Sequence, residues 1–217
     1  MIKGIIFDLD GVIIHTDEMH YQAWKEVADR IGVEFNRQLN NRLRGVSRME
    51  SLDIILENAH VALSETEKQL LADEKNTIYR QLLSTLREED VSEDVRSTLE
   101  KLREHNIKLA IGSSSKNAGY ILEQVKLNNF FDAVSDGNNI SKSKPDPEVF
   151  QKAAEYVMLT PEECAVIEDA YAGIDAANSG GFFSVGIGDA AGYEKADMKI
   201  EFFADILDLL KEPGIGR

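Results

Sequence analysis

A short apolar run that stops in acid constrains this chain more than any other feature. Ile2, Ile5, Ile6 and Phe7 lead into Asp8-Leu9-Asp10-Gly11, and a second apolar patch, Val12-Ile13-Ile14, follows. The run predicts a buried strand over residues 2 to 8 whose carboxyl end carries two carboxylates, on the edge where an open α/β sheet places its ligands. Asp8 and Asp10 share a face of an ideal strand, and Gly11 lets the chain turn so that Asp10 leans over Asp8. One carboxylate suits a metal-bound nucleophile and the other a general acid or base. An Asp-Gly turn closing a strand is the plainer explanation of this segment taken alone.

The rest of the chain alternates. From about Val91 onward, helical patterns are interleaved with short apolar runs at 108–111, 133–134, 165–167 and 183–186, which predicts a parallel sheet. Between the first strand and this region the apolar residues recur at helical spacing, as in Trp24, Val27, Ala28 and Ile31 and again in Leu52, Ile55 and Leu56. The expected fold is therefore α/β: a doubly wound, Rossmann-like parallel-sheet core formed by residues 1–14 and 91–217, with an inserted α-helical cap over residues 15–90. The two crossings, near His15 and Val91, lack a strong helical pattern and suit a hinge. Glu212-Pro213-Gly214 reads as a helix stop before a tail.

Charge narrows the partners. Thirty-nine acidic against 24 basic residues give a formal net charge of −15, which argues against nucleic acid and anionic membrane. An anionic substrate then needs a local basic or metal-lined patch. The single cysteine, Cys164, excludes an intrachain disulfide and a cysteine zinc cage, and its apolar neighbours mark it as a buried structural thiol. With no long apolar stretch and two acids inside the apolar N-terminus, a soluble, cytoplasmic monomer is expected.

Three further motifs follow predicted strands. Gly112-Ser113-Ser114-Ser115-Lys116-Asn117 stands between a strand and a helical pattern, where hydroxyls and backbone amides suit a phosphate, although Ser115 or Asn117 also suits an ordinary helix cap. In Ser143-Lys144-Pro145-Asp146-Pro147 two prolines fix the backbone beside Lys144, whose ammonium is able to pair with a carboxylate nucleophile and a transferring phosphoryl group. Glu168-Asp169 closes the strand through Val166-Ile167; adjacent acids there repel unless a cation lies between them, and a hard cation such as magnesium fits.

In combination and order, Asp8/Asp10, Ser113, Lys144 and Glu168/Asp169 resemble the haloacid dehalogenase superfamily, with FDLDGV and KPDP the most specific segments. Within the helical insertion, His20, Ala23-Trp24, Arg44-Gly45-Val46-Ser47-Arg48, Ser51 and Lys75-Asn76 resemble its β-phosphoglucomutase family. That resemblance implies Mg2+-dependent interconversion of β-D-glucose 1-phosphate and glucose 6-phosphate, a small-molecule sugar phosphate reaction that proceeds through glucose 1,6-bisphosphate. Asp8 would be the nucleophile and Asp10 the acid and base. Ser113 and Lys144 would hold the transferring group, and Asp8, Glu168, Asp169 and the Asp10 carbonyl would hold the metal. Arg48, Ser115, Lys116 and Asn117 would grip the distal phosphate, while His20, Trp24, Gly45, Val46, Ser47, Ser51 and Lys75 would meet the substrate. His15 and Met49 depart from acidic residues common at these positions. A phosphatase of a small phosphosugar or phosphoglycolate is the nearest alternative, and a non-catalytic phosphate-binding protein a more distant one.

Overall fold

The computed structural model describes residues 1–57, 59 and 63–211, so the tail at 212–214 lies outside the described residues. Six parallel strands form one sheet: β1 (Gly4–Phe7), β2 (Lys108–Gly112), β3 (Ala133–Ser135), β4 (Cys164–Glu168), β5 (Phe183–Gly186) and β6 (Met198–Lys199). Their order is β3-β2-β1-β4-β5-β6. The chain runs outward from β1 in both directions, so the order reverses at β1, and the crevice beyond its carboxyl end is where such sheets bind ligands. β1 is shorter than expected, with Ile2 buried but outside the strand, and β6 has only two residues, too few to leave a periodic signal.

All four residues of β1 and all five of β4 are buried, as strands covered on both faces require, and both read as continuous apolar runs for that reason. Register sets the chemistry at their ends. Phe7 aligns with Ile111 on one side and Ile167 on the other, so Asp8 emerges level with Gly112 and Glu168. Cys164 is wholly buried, and burial pushes its thiol up to about 12, which keeps it inert at neutral pH.

Among the described residues five α-helices lie between β1 and β2, the first four being α1 (Asp17–Arg30), α2 (Arg37–Asn41), α3 (Arg48–Leu56) and α4 (Glu65–Leu83). Trp24, Val27, Phe35, Leu52, Ile55 and Ala72 form a hydrophobic cluster among them, while Ala23, Tyr79 and Leu83 join the main core under the sheet. α1 and α4 thus face both ways. Ser64 caps α4 with a reciprocal Glu67 contact, a sequence-local start signal that holds the long helix in place. The fifth, α5 (Glu93–Glu104), leads into β2, and α6 (Ala118–Gln124), α7 (Glu148–Tyr156) and α8 (Tyr171–Ser179) follow β2, β3 and β4. No helix among the described residues is long and apolar enough to cross a membrane.

Candidate active site

Asp8, Glu168 and Asp169 converge at the ends of β1 and β4, with ligand oxygens all within 4.8 Å of one another and all three residues buried. Two glycines permit this crowding. Gly11, with φ of +92°, lies where a Cβ would fall inside the Asp169 carboxylate, and a Cβ at Gly173 would fall inside that of Glu168. Burial, with Lys144 opposing and Asp8 adding, pushes the Glu168 carboxyl up; burial followed by Glu168 does the same to Asp169. Three buried hard oxygen donors that resist sharing negative charge fit a magnesium ion.

Lys144 is fully buried beside this cluster. Its Nζ donates to Asp8 Oδ1 at 2.6 Å and also to Glu168. Burial works against the ammonium, yet Asp8 and Glu168 outweigh it and hold it above its ordinary value. The lysine therefore stays charged beside Asp8.

Asp10 takes a different position from the cluster. Its Oδ1 accepts from the Thr16 hydroxyl and, at 3.3 Å, from the Tyr79 hydroxyl on α4. Burial, and then the charge of Asp8, raises its carboxyl to about 6, in the range where a group both gives and takes protons near neutrality. Its side chain is not among the three converging carboxylates.

A cavity of about 350 Å³ opens over Asp8, Asp10 and Asp169, a volume suited to a small ligand. From the core it is lined by Ser113, Ser115, Lys116 and Asn117; from the helices, by His20, Trp24, Gly45, Val46, Ser47, Arg48, Ser51 and Lys75. Lys144 and Glu168 are wholly buried and do not line it. Several of these side chains are already engaged. Ser51 Oγ donates to the Ser47 carbonyl, Ser47 Oγ accepts from Glu50 N as the cap of α3, and Trp24 belongs to the helical cluster. Ser113 Oγ and Ser115 Oγ accept from the amides of Ser115 and Asn117. Asn117 precedes α6 without capping it through its side chain, and a seven-residue helix contributes little dipole, so side chains carry any anion grip here. Among the described residues, neither Arg48 nor Lys116 has a carboxylate within 4.0 Å.

Lys75 Nζ meets His20 Nδ1 at 2.9 Å and lies over the Trp24 and Tyr79 rings. Burial, then Lys75 and Arg48, pushes the His20 ring well below its usual range, so its 3.9 Å contact with Asp10 is not an ion pair at neutral pH. Burial and then Arg48 bring Lys75 down to about 7. Between pH 7 and about 10 the unfolded chain keeps this proton and the folded chain does not, so this group's contribution to stability rises with pH across that window. Lys75→Met removes the rise. The thermal midpoint of the native chain should gain on that of the variant between pH 7 and 9, and parallel midpoints would contradict the assignment.

Three participants carry no site role in the sequence reading, Arg44 standing there only as the first residue of the segment 44–48. Arg44 Nη2 contacts Asp17 at 2.7 Å and Asp169 at 3.1 Å, and Nη1 contacts Asp189, so one guanidinium ties the loop before α3 to the sheet side. Thr16 and Tyr79 hold Asp10.

The model of the haloacid dehalogenase-like hydrolases matches residues 5–187. The chain is 42% identical to the β-phosphoglucomutase of Bacillus subtilis, over 97% of this chain and 95% of that one. It is 31% identical to a phosphorylated carbohydrates phosphatase of Thermotoga maritima, over 83% and 82% respectively. The crystal structure of β-phosphoglucomutase from Clostridium difficile superposes with a TM-score of 0.91 at 38% identity, covering 97% of this chain and 96% of the other. The acids closing β1 and β4, the buried lysine between them and these matches agree: the chain belongs to the haloacid dehalogenase-like hydrolase family.

Proposed function

We propose that this chain is a magnesium-dependent β-phosphoglucomutase that interconverts β-D-glucose 1-phosphate and glucose 6-phosphate through phosphorylated Asp8 and glucose 1,6-bisphosphate. One observation carries the reading: a single cavity is lined both by the Asp8 cluster and by Arg48 and Lys116, two cations with no carboxylate partner among the described residues. A phosphate at each end of a sugar answers both. Residues 15–90 act as the cap and residues 1–14 and 91–217 as the core.

An Asp8 carboxylate oxygen attacks phosphorus of the bisphosphate and the sugar oxygen leaves, taking a proton from Asp10. In the opposite transfer phosphorylated Asp8 gives its phosphoryl group to the C6 hydroxyl of β-D-glucose 1-phosphate while Asp10 removes that hydroxyl's proton, and the glucose 1,6-bisphosphate so formed turns end for end before Asp8 attacks its C1 phosphorus and glucose 6-phosphate leaves. Lys144 and Ser113 hold the equatorial oxygens as charge develops on them. Asp8, Glu168 and Asp169, with the Asp10 backbone carbonyl, would hold magnesium, which when bound would offset the repulsion between the anionic nucleophile and the anionic phosphoryl group.

Water competes with the sugar for phosphorylated Asp8. In this mechanism Arg48 seats the distal phosphate and the cap closes with it, so that Asp10 becomes a base only when a sugar is in place. Arg48→Ala should lower kcat/KM for β-D-glucose 1-phosphate by about 10- to 100-fold, the worth of one or two charge-assisted contacts. It should also raise phosphate release per isomerisation event. Unchanged turnover with an unchanged ratio would refute this role.

A further inference from the structure

Arg48 and Asn117 reach the cavity from separate parts of the chain, Arg48 from the first residue of α3 and Asn117 from the loop between β2 and α6. One atom joins them. Asn76 Oδ1, on α4, accepts from Arg48 Nη2 at 2.8 Å and from Asn117 Nδ2 at 3.0 Å. The Asn117 amide is oriented from its other side as well, because its Oδ1 accepts from Arg80 Nη1 at 3.4 Å, and the Arg80 guanidinium lies 4.1 Å from the centre of the Tyr120 ring. A flipped Asn117 amide would set donor against donor at Arg80 and acceptor against acceptor at Asn76.

The partner's neutrality matters. Burial lowers the Arg48 pKa, with Asp73 offsetting it in part, and no carboxylate lies within ion-pair distance of its guanidinium among the described residues. A neutral carbonyl orients the guanidinium and leaves its charge available to an anion, whereas a carboxylate at the same place would consume it.

We propose that Asn76 is a positioning residue that ties Arg48 to Asn117 and so locks the helical and sheet-side halves of the distal phosphate grip into one unit; this deepens the functional reading above and rests on it. The consequence is cooperative: either half alone grips poorly, and the pair engages a phosphate only when α3 and α4 lie against the loop after β2.

A double-mutant cycle tests the tie. Glucose 6-phosphate is titrated calorimetrically into the magnesium-loaded enzyme carrying Arg48→Ala, Asn117→Ala or both. With Asn76 present, the double variant should lose at least about fivefold less affinity than the product of the single losses. With Asn76→Ala the two losses should multiply. Losses that already multiply with Asn76 present, or a shortfall that persists without it, would overturn the proposal. Asn76→Asp supplies a second arm, since it keeps the acceptor and adds charge. It should weaken binding about tenfold, and native-like affinity would refute the role assigned to neutrality.

Urea midpoints confirm that each variant folds, and the same cycle read by unfolding without ligand scores the tie independently of substrate. Failure of the native chain to bind glucose 6-phosphate would therefore count against the functional reading alone, while the unfolding cycle would still decide the role of Asn76.

Discussion

Asp8→Asn eliminates isomerisation and phosphate release together, each by at least about four orders of magnitude in kcat, because an amide offers no nucleophilic oxygen to phosphorus. The loss is specific to chemistry. Asn fills nearly the same space at the end of β1, where the register with β2 and β4 is set by the buried residues 4–7. Removing one of three crowded carboxylates also relieves repulsion on Glu168 and Asp169, whose carboxyls are raised in part by Asp8. Loss of the Asp8 charge beside buried Lys144 opposes that relief, so the variant should fold with a urea midpoint near that of the native chain in EDTA, with no acid-stable or acid-labile phosphate on the protein. Residual turnover above about one part in a thousand would mean that another residue forms the covalent intermediate.

Lys144→Met has the second largest effect, and it falls on both stability and rate. Lys144 is wholly buried, and its ammonium is bonded to Asp8 and Glu168. Deleting one partner of a buried charge set strands the others, at a cost of about 3–5 kcal/mol. Protonation of Glu168 returns part of this at low pH. A divalent cation offers an alternative countercharge, so added MgCl2 should recover more stability in the variant than in the native chain. Loss of a fixed cation at the transferring group should also lower kcat about 10²- to 10³-fold. Urea unfolding in EDTA and in MgCl2 checks the first effect, and turnover the second; equal magnesium responses would show that Lys144 and the metal do not share the same charge balance.

What the sequence disclosed and what it concealed divide along a physical line. β1 and β4 were legible because strands buried on both faces are unbroken apolar runs, β2 and β5 because short apolar stretches mark them despite Lys108 and Ser184, and the acids and serines at the strand ends stand out against them. The converging carboxylates lie next to those runs in sequence, so Asp8, Glu168 and Asp169 could be picked out before any fold was known. Arg44 stood in the segment 44–48 but could not be given its contacts in this way, since its partners Asp169 and Asp189 lie far along the chain. Tyr79 meets Asp10 across 69 residues, and Asn76 meets Asn117 across 41, so neither leaves a local pattern. Ser47 and Ser51 illustrate the reverse case. Both line the cavity, yet their hydroxyls have local duties in α3 that spacing alone does not reveal.

Asp10 joins the two kinds of information. Its place after Asp8 is written in the sequence, whereas its hold on Thr16 and Tyr79 arises only when α1 and α4 pack over the strand ends. The proposed separation of sugar from water depends on that long-range packing rather than on the strand motif.

The central claim is tested most directly by following β-D-glucose 1-phosphate with magnesium, with and without a trace of glucose 1,6-bisphosphate, while glucose 6-phosphate and free phosphate are measured together. The account predicts rapid isomerisation, stimulated by the bisphosphate, with little phosphate released. Phosphate release without isomerisation would contradict it and would make the cavity that of a phosphatase.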